Sequence, residues 1–261
     1  METAGPDGAE RDGVALAVST VIFALRRHDA SDLPTVWLPL VRRIREPFEG
    51  RWALPGGPLG TREDLAVAAA RTLGETTGLA PRYLEQLYAF GSVDRSPGQR
   101  VVSIVYWALV RSEEAARASV GENVRWFPGN AVPALAFDHN LIVDYALWRL
   151  RTKMEYSRIA HAFLGETFTL AQLREVHEAV LGKALDPANF RRMIEASDAV
   201  IATDQHLTGA RHRPARLYRY NAAVDLADLG PLSGADRATP SELPDHSAPQ
   251  PAPHPAKKEE Q

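Results

Sequence analysis

The segment GGPLGTREDLAVAAARTLGETTGL, residues 56–79, places charged side chains at helical spacing behind a glycine-rich loop. This pattern predicts a helix from about Arg62 to Thr77, ended by Gly78 at the C′ position. Such a loop offers free backbone N–H groups and the positive end of a helix dipole, and both favour a bound phosphate. The segment therefore predicts a site for a phosphate ester, with the charges of the helix available to hold a metal ion.

Segments rich in β-forming residues surround this helix and must position it. A second helix is expected to begin near Asp138, whose side chain can cap it, and to run towards Arg151. Strands separated by one helix and followed by another indicate a compact α+β domain. The predicted strands are bounded by Gly, Pro, Asp and Ser clusters and span residues 13–25, 35–44, 87–93 and 100–110.

The pattern changes after Lys153, where three helices and two short strands are predicted. Thr169 and Gln172 form a capping box at the start of the second of these helices, and Pro187 occupies the first position of the third. Three helices followed by a hairpin are typical of a winged helix-turn-helix. The helices are predicted at 154–164, 169–181 and 187–197, and the strands at 199–203 and 215–220, joined by the basic loop DQHLTGARHRP.

Composition narrows the class of protein. The chain of 261 residues contains no cysteine, which excludes disulfides, thiolate metal sites and cysteine nucleophiles. The polar N-terminus and the lack of a long apolar run favour a soluble, cytoplasmic protein. The net charge is −3, yet residues 151–221 carry an excess of basic side chains between two acidic segments. This asymmetry suggests that the second part of the chain meets an anion.

The glycine loop and helix resemble a Nudix box. Gly57, Glu63, Arg71 and Glu75 match the pattern G-x5-E-x7-R-E-U-x-E-E-x-G-U at the required spacing, as do Leu73, Gly78 and Leu79. In Nudix hydrolases, magnesium is held by a glutamate after the arginine and by two adjacent glutamates further along the helix. Those three positions share one helical face.

In this chain the three metal positions are Thr72, Glu75 and Thr76. Magnesium prefers charged oxygen ligands, and threonine hydroxyls are neutral. One carboxylate on that face, even with Glu63 nearby, is a poor site for the metals that activate water. We therefore predict no metal site, no required cofactor and no significant pyrophosphatase activity, with the helix kept for binding.

Segment 92–110, SVDRSPGQRVVSIVYWALV, is similar to the corresponding loop and strand of Nudix proteins that recognise ADP-ribose. This resemblance implies ADP-ribose as the effector. Arg42 and Arg43 could add charge, and Phe48 could stack on the adenine. The predicted ligand-binding residues are Arg51, Trp52, Gly56, Gly57, Arg71 and Glu75.

The basic second part carries the side chains that a DNA-reading winged helix needs. Residues near the start of its last helix would meet base edges, because that end enters the major groove. Asparagine can pair with adenine, and arginine with guanine. Other residues are placed for backbone phosphates or for a wing tip. The predicted DNA-binding residues are Thr169, Gln172, Lys183, Asn189, Arg191, Arg192, Arg211, His212 and Arg213.

The two parts together resemble the Nudix-related transcriptional regulators of NAD metabolism. The resemblance rests on residues 136–151, on FTLAQLREVHEAVLGKALDPANFRRMI and on RPARLYRY, and it covers about residues 13–221. It implies a homodimeric repressor of NAD biosynthesis or salvage genes that binds palindromic double-stranded DNA and senses ADP-ribose. The helix at 138–152 would couple the two activities.

The expected fold is an α+β Nudix-type mixed-sheet α/β/α sandwich followed by a winged helix-turn-helix. The expected division is a disordered N-terminus at 1–12, a Nudix-like sensor at 13–152, a DNA-binding domain at 153–222 and a disordered tail at 223–261.

Two alternatives stay open at the level of sequence. The first is a Nudix ADP-ribose pyrophosphohydrolase with an added nucleic-acid domain, which would use Glu63, Glu75 and an outside carboxylate such as Asp94 or Glu122. The second is a pseudoenzyme that docks on another protein. Metal-dependent turnover would identify the first, and DNA affinity that does not fall with salt would favour the second.

Overall fold

The structure, a computed structural model, describes residues 13–28, 31–79, 83–118, 122–156, 159–207, 214–221 and 223. The predicted disordered segments at 1–12 and 223–261 therefore lie outside the described residues, apart from Ala223. Arg211, His212 and Arg213 of the predicted wing tip lie outside them too. Within the described ranges, no helix combines the length and the apolar character needed to cross a membrane.

The first domain is built on a seven-stranded mixed sheet. Its main strand order is β3-β2-β1-β6-β5, with β4 paired to β1 and β7 paired to β2. The long central strands β1 and β6 are parallel, and the other pairs are antiparallel. The strands are β1 (Ala15–His28), β2 (Ser31–Arg42), β3 (Trp52–Ala53), β4 (Gly56–Pro58), β5 (Tyr83–Phe90), β6 (Val101–Val110) and β7 (Val124–Pro128).

Helices cover both faces of this sheet. Because side chains alternate along a strand, β1 sends Val21 and Phe23 to one face and Val18 and Ile22 to the other. The first set packs with α3 (His139–Tyr156), and the second packs with α1 (Leu65–Thr77) and α2 (Ser112–Arg117). The predicted α/β/α sandwich is confirmed.

The second domain has the winged-helix order. The capping box of Thr169 and Gln172 is confirmed, with the Gln172 N–H 3.2 Å from the threonine hydroxyl. The Asp186 carboxylate accepts from the Asn189 N–H at 2.8 Å, and Pro187 opens the helix as predicted. The elements are a 3₁₀ helix (Ile159–Phe163), β8 (Thr167–Phe168), α4 (Leu170–Leu181), α5 (Pro187–Ala196), β9 (Val200–Leu207) and β10 (Ala215–Tyr220).

One hydrophobic core runs through both domains. It joins Phe23 of the sheet to Leu150 of α3, and continues to Phe168 and Leu173 of the winged helix. Helix α4 packs against β2, and Arg27 pairs with Glu175 across the same seam at 3.5 Å. The two domains therefore share buried apolar surface, which ties their relative positions to the position of α3.

Several predicted boundaries were wrong. The helix expected at 154–164 is divided into the end of α3 at Tyr156 and a short 3₁₀ helix at Ile159–Phe163. Its buried residues at 159, 160 and 163 fit either helix type, so apolar spacing could not separate them. Helix α1 begins at Leu65 rather than near Arg62, because the Glu63 N–H bonds the Gly60 carbonyl in a turn.

The strand boundaries also differ from the predicted ones. Strand β5 covers Tyr83–Phe90 rather than 87–93, and β2 covers Ser31–Arg42 rather than 35–44. Strand β9 continues to Leu207 through part of the predicted loop. The short elements β3, β4, β7, β8 and α2 were not predicted, because each is too brief to show a period.

Candidate ligand-binding cleft and nucleic-acid surface

A cleft of about 420 Å³ opens on the face of the sheet that carries α3. Its floor includes Ser19 of β1 and Ser103 of β6, whose buried hydroxyls are 3.1 Å apart. The loop after β2, residues 43–47, forms one wall. The segment between β3 and β4 and the loop before β6 complete the lining. The floor of the cleft thus combines two hydroxyls with the apolar Ala17 and Val101, and loops bound it, as is common in binding sites.

Four arginines line this cleft, namely Arg42, Arg43, Arg45 and Arg95. The Arg43 Nε donates to the Pro47 carbonyl at 2.7 Å, and its guanidinium lies 4.7 Å from the centre of the Phe137 ring. Burial lowers the pKa of Arg43 from its ordinary value, and nearby Glu46 acts in the opposite direction. The wall therefore holds a positive group in a fixed orientation and partly shielded from water, where an anion would interact strongly.

Arg95 links the cleft to the start of α3. It donates from Nε and a terminal nitrogen to the two carboxylate oxygens of Asp138, at 3.0 and 2.7 Å. The Arg95 side chain is only 4% exposed. A bidentate pair of this kind is geometrically specific. It joins the loop before β6 to the residue that precedes α3.

His139, the first residue of α3, also lines the cleft and is buried. Its Nδ1 accepts a hydrogen bond from the Leu54 N–H at 2.9 Å. Desolvation lowers the pKa of His139 to about 4, helped by the positive Arg95 and Arg43 and opposed by Asp138. The ring is therefore neutral near pH 7. Because Nδ1 accepts, the proton sits on Nε2, which makes Nε2 a hydrogen-bond donor.

Two aromatic residues beside the cleft adopt an unusual backbone conformation. Phe48 has φ 67° and Phe137 has φ 56°, in the left-handed region that bulky residues rarely enter. Their rings meet edge to face with centroids 5.0 Å apart, and the Phe137 ring lies 5.3 Å from the His139 ring. Strained positions of this kind cluster at ligand sites, because the surrounding structure must hold them in place.

The Nudix-like helix α1 lies against the opposite face of the sheet, and its charges pair with one another. Arg71 donates to both oxygens of Glu63, at 2.7 and 3.0 Å, and to Glu75 at 3.2 Å. The hydrogen bond from Arg71 is the main reason that the pKa of Glu63 is lowered, and Glu63 in turn raises the pKa of Arg71. The buried Thr72 hydroxyl donates to the Ala68 carbonyl at 2.7 Å.

The predicted ligand-binding residues fall into three places. Gly56 and Gly57 line the cleft. Arg51 is exposed above Phe48, and the Trp52 ring packs on Phe127; neither lines the cleft. The other two, Arg71 and Glu75, belong to the ion-paired cluster of α1. Their binding roles stay predictions.

Sequence reasoning missed several residues that line the cleft. Arg95, Ser96, Gln99 and Ser103 all belong to segment 92–110, whose resemblance to ADP-ribose-binding proteins pointed to this region. No comparable signal marked His139. Its importance depends on contacts with Leu54 and Phe137 that come together only in the fold.

Helix α5 presents the expected polar surface. Asn189, Arg191 and Arg192 are exposed, whereas Phe190 and Ile194 are buried. Arg191 pairs with Glu195 at 3.0 Å, and the Tyr218 hydroxyl donates to the same carboxylate at 3.1 Å. The helix is thus fixed by its apolar face, and the residues predicted to read bases face solvent.

The three residues predicted to contact the DNA backbone lie in different surroundings. Thr169 is buried, and its hydroxyl is engaged in the capping box. Gln172 is exposed beside the seam between α4 and the first domain, and Lys183 is exposed in the turn between α4 and α5. This geometry favours a capping role for Thr169 and leaves the side chain of Lys183 available to phosphate.

Known proteins match the same two-part organisation. A NUDIX domain model matches residues 16–145, and a model of the NrtR DNA-binding winged helix domain matches residues 160–220. The ADPR responsive transcriptional repressor NtrR of Acinetobacter baylyi is 33% identical over 186 residues, which are 69% of this chain and 74% of that protein. The chain belongs to the NrtR family of Nudix-related transcriptional regulators.

Two further proteins resemble this NrtR family member. The crystal structure of Shewanella oneidensis NrtR complexed with a 27-mer DNA has a TM-score of 0.66 and 36% identity, covering 79% of this chain and 93% of that one. The ADP-ribose pyrophosphatase of Methanocaldococcus jannaschii is 37% identical over 111 residues, which are 42% of this chain and 66% of that protein. The Acinetobacter repressor thus matches 69% of this chain, whereas the pyrophosphatase matches a shorter region.

Proposed function

We propose that this protein is a transcriptional repressor of NAD biosynthesis or salvage genes, which binds ADP-ribose in the cleft without hydrolysing it. The observation that carries the proposal is the position of the cleft. Four arginines and a neutral histidine surround it, and two of its residues, Arg95 and His139, fix the start of the helix that leads into the winged helix. A ligand there contacts the element that connects sensor and reader.

The cleft suits a nucleoside diphosphate sugar in charge and in size. Its volume of about 420 Å³ lies in the range of small-molecule sites. Arg43 and Arg95 supply charge for the diphosphate, and the His139 Nε2–H and the serine hydroxyls of the floor supply polar contacts. Gly57 leaves open space, because a Cβ built there would meet nothing within 4 Å. The name of the Acinetobacter relative, which responds to ADPR, supports this ligand.

The residues present do not fit the magnesium of a Nudix hydrolase. Thr72 and Thr76 occupy two of the expected carboxylate positions, and Thr72 donates its proton to a backbone carbonyl. Glu63 and Glu75 are bound by Arg71. In the part of the chain that the structure describes, no three acidic or histidine side chains come close enough to hold a metal ion. We therefore propose binding without turnover.

The DNA-reading role rests on the exposed surface of α5 and on the DNA complex of the Shewanella relative. Asn189 and Arg192 are the residues that we propose to contact bases, with Lys183 on phosphate. The wing-tip residues Arg211, His212 and Arg213 remain part of this proposal on sequence grounds. We further propose that the protein acts in the cytoplasm and binds a palindromic operator as a homodimer.

Coupling between the two sites follows from the Arg95–Asp138 pair. A diphosphate in the cleft competes with Asp138 for the Arg95 guanidinium, and it contacts His139 on the same turn. Either change acts on the start of α3, whose other end packs with the winged helix. For repression to be released, ADP-ribose must bind better to the arrangement that does not fit the operator.

The test is selection of bound DNA from a random duplex pool at physiological salt, followed by washing with ADP-ribose in EDTA. We expect a two-fold symmetric site that ADP-ribose elutes, and we expect no release of AMP when the protein is incubated separately with ADP-ribose and Mg²⁺ or Mn²⁺. If such a site is recovered but the DNA stays bound to the protein during the ADP-ribose wash, ADP-ribose is not the effector. Turnover of ADP-ribose with Mg²⁺ or Mn²⁺, together with no enrichment of DNA, would support the pyrophosphohydrolase alternative instead.

A further inference from the structure

The side chains of α5 lie in stripes along the helix, and the stripes differ in their contacts. Residues four apart share one side of a helix. The stripe of Phe190 and Ile194 is buried in the core. In the stripe beside it, Arg191 pairs with Glu195, whose carboxylate also accepts a hydrogen bond from the Tyr218 hydroxyl of β10. These two stripes are therefore engaged in contacts within the domain.

The other two stripes of α5 face solvent. One holds Asn189 and Met193, and the other holds Arg192 and Ala196; all four residues are exposed. Among the residues that the structure describes, Arg192 forms no ion pair. Met193 is 55% exposed. A long apolar side chain thus lies in solvent, one helical turn from Asn189 and next to Arg192, the two residues that we propose to contact bases.

Thymine is the base that offers an apolar group to such a side chain. In the major groove the base pairs present hydrogen-bond donors and acceptors, and thymine adds its 5-methyl group. Burial of a methyl group against an apolar side chain is favourable, because it removes apolar surface from water. Methionine suits this contact, since its unbranched and polarisable side chain adapts to the surface that it meets. An exposed methionine on a helix in the major groove therefore favours thymine, as asparagine favours adenine.

We propose that Met193 contacts the 5-methyl group of a thymine in each half of the operator, and that this contact helps to determine which DNA sequence the protein binds. The proposal rests on the proposed function, because it requires α5 to lie in the major groove. Asn189 and Arg192 recognise bases through hydrogen bonds, whereas Met193 recognises a base by its shape and its apolar surface. The three residues therefore select for different bases of the same half-site.

The spacing of residues along α5 places this thymine relative to the other base contacts. Met193 lies about 6 Å from Asn189 along the helix axis, because the helix rises about 1.5 Å per residue. Bases of one strand are about 3.4 Å apart along the axis of the DNA. The thymine is therefore expected about two base pairs from the adenine that Asn189 contacts.

The test combines a change in the protein with a change in the operator that the selection recovers. Each thymine is replaced, in both halves at once, by deoxyuridine, which lacks the 5-methyl group and keeps the hydrogen-bonding groups of thymine. Titration with the full chain gives the Kd for each duplex. We expect one replacement to raise the wild-type Kd about 15-fold, because two methyl contacts are lost and each contributes about a factor of four. Met193→Ala should bind the unmodified operator more weakly and should lose no further affinity at that position.

Two further variants separate the methyl contact from general effects on binding. Met193→Leu, which keeps an apolar side chain, should retain most of the sensitivity to deoxyuridine. Val93→Ala, at a residue of the first domain that is 72% exposed, is the matched control and should respond to deoxyuridine as the wild type does. Because Met193 is exposed, its variants should melt at the wild-type temperature.

Three outcomes would overturn the proposal. They are a wild type that tolerates deoxyuridine at every thymine, an operator without thymine, and a Met193→Ala variant that keeps the full loss at every position. In each of them the protein still binds DNA, so they are distinct from a failure of the proposed function. In that case no duplex is enriched, and both proposals fail together.

Discussion

The two faces of the first sheet carry similar charged residues, yet they use them differently. On the α1 face, Arg71 is bound by Glu63 and Glu75, so the charge of the arginine is neutralised within the helix and its loop. On the α3 face, four arginines line one cleft, and of these Arg95 is paired with Asp138. Charge that is neutralised locally stabilises structure, whereas charge that converges on an open space attracts a ligand.

The contrast shows why a Nudix box alone is a poor guide to activity. The motif is carried by α1 and the loop before it. The charged residues that still match the Nudix pattern, Glu63, Arg71 and Glu75, pair with one another there and hold the helix to its loop. The features suited to a ligand lie across the sheet, where Phe48 and Phe137 are strained and His139 is kept neutral. This is why we propose binding without turnover: the residues that line the cleft do not include Thr72, Glu75 or Thr76 of α1.

As the pH falls, the protein should lose the stability contributed by His139 of the cleft before it loses the stability contributed by Glu63 of the α1 cluster. The folded protein holds the pKa of His139 at about 4, below its ordinary 6.5, so the unfolded chain binds this proton first as the pH falls. Stability due to His139 is present above pH 6.5 and is lost progressively down to about pH 4, by about 3 kcal/mol in total. Glu63, whose pKa is lowered, loses its contribution only as the pH falls below its ordinary 4.5.

Urea unfolding at a series of pH values measures this difference. The variant His139→Gln should show a flatter profile between pH 7 and pH 4 than the wild type. His177 of α4, whose pKa burial also lowers to about 4, contributes in the same range, so His177→Gln serves as the comparison outside the cleft. Equal profiles for His139→Gln and the wild type would contradict a lowered pKa for His139.

Replacement of Arg43 should weaken ligand binding most among single changes in the cleft wall. Loss of a charge-assisted contact costs about 2 kcal/mol, so Arg43→Ala should raise the Kd for ADP-ribose by about 30-fold. Arg71→Ala, which removes the centre of the α1 cluster, should reduce thermal stability while leaving the Kd within about 3-fold. Isothermal titration calorimetry in EDTA gives both constants. A Kd that rises about 30-fold for Arg71→Ala and stays nearly unchanged for Arg43→Ala would show that the ligand binds beside α1 instead.

Gly56 and Gly57, which are adjacent at the cleft, allow the effect of a substitution on packing to be measured apart from its effect on ligand binding. A Cβ at Gly56 would lie 2.7 Å from the Val18 carbonyl oxygen, whereas one at Gly57 would meet nothing within 4 Å. Gly56→Ala should therefore destabilise the protein by about 1–3 kcal/mol through overpacking against β1. Gly57→Ala should leave the melting temperature unchanged and weaken ADP-ribose binding. Calorimetric melting would contradict this view if both variants melted alike.

The smallest effect is expected at the exposed end of the α1 cluster. The Glu75 side chain is 63% exposed, and such a pair at i,i+4 contributes less than about 0.5 kcal/mol. Glu75→Gln should therefore leave stability and ADP-ribose affinity close to the wild-type values. A large loss of affinity in this variant would show that α1 contributes directly to the ligand site.

The sequence predicted the parts of the molecule that depend on local patterns. The Thr169 capping box, the Pro187 helix start and the Gly78 helix end are short-range signals, and the structure contains all three. The 92–110 segment likewise pointed to a region that lines the cleft. Each of the three helix signals depends on a few neighbouring residues, and the segment is continuous in the chain.

The cleft itself could not be predicted in the same way, because its residues converge from distant parts of the chain. The His139 ring is held by a hydrogen bond from the Leu54 N–H, and Arg95 is held by its ion pair with Asp138. The Phe137 ring is in contact with the guanidinium of Arg43. Conversely, Arg71 and Glu75 matched a binding motif but pair with each other and with Glu63 in the fold. A single sequence does not show whether a charged side chain binds a ligand or forms an ion pair within the protein.

The central claim is that the ligand lies on the α3 face of the sheet, and a crystal structure with ADP-ribose in EDTA tests it most directly. We expect the diphosphate within hydrogen-bond distance of Arg43 or Arg95, with the His139 Nε2 facing the ligand and the Arg95–Asp138 pair altered. Density for the diphosphate beside Glu63, Arg71 and Glu75, with the cleft empty, would contradict the account.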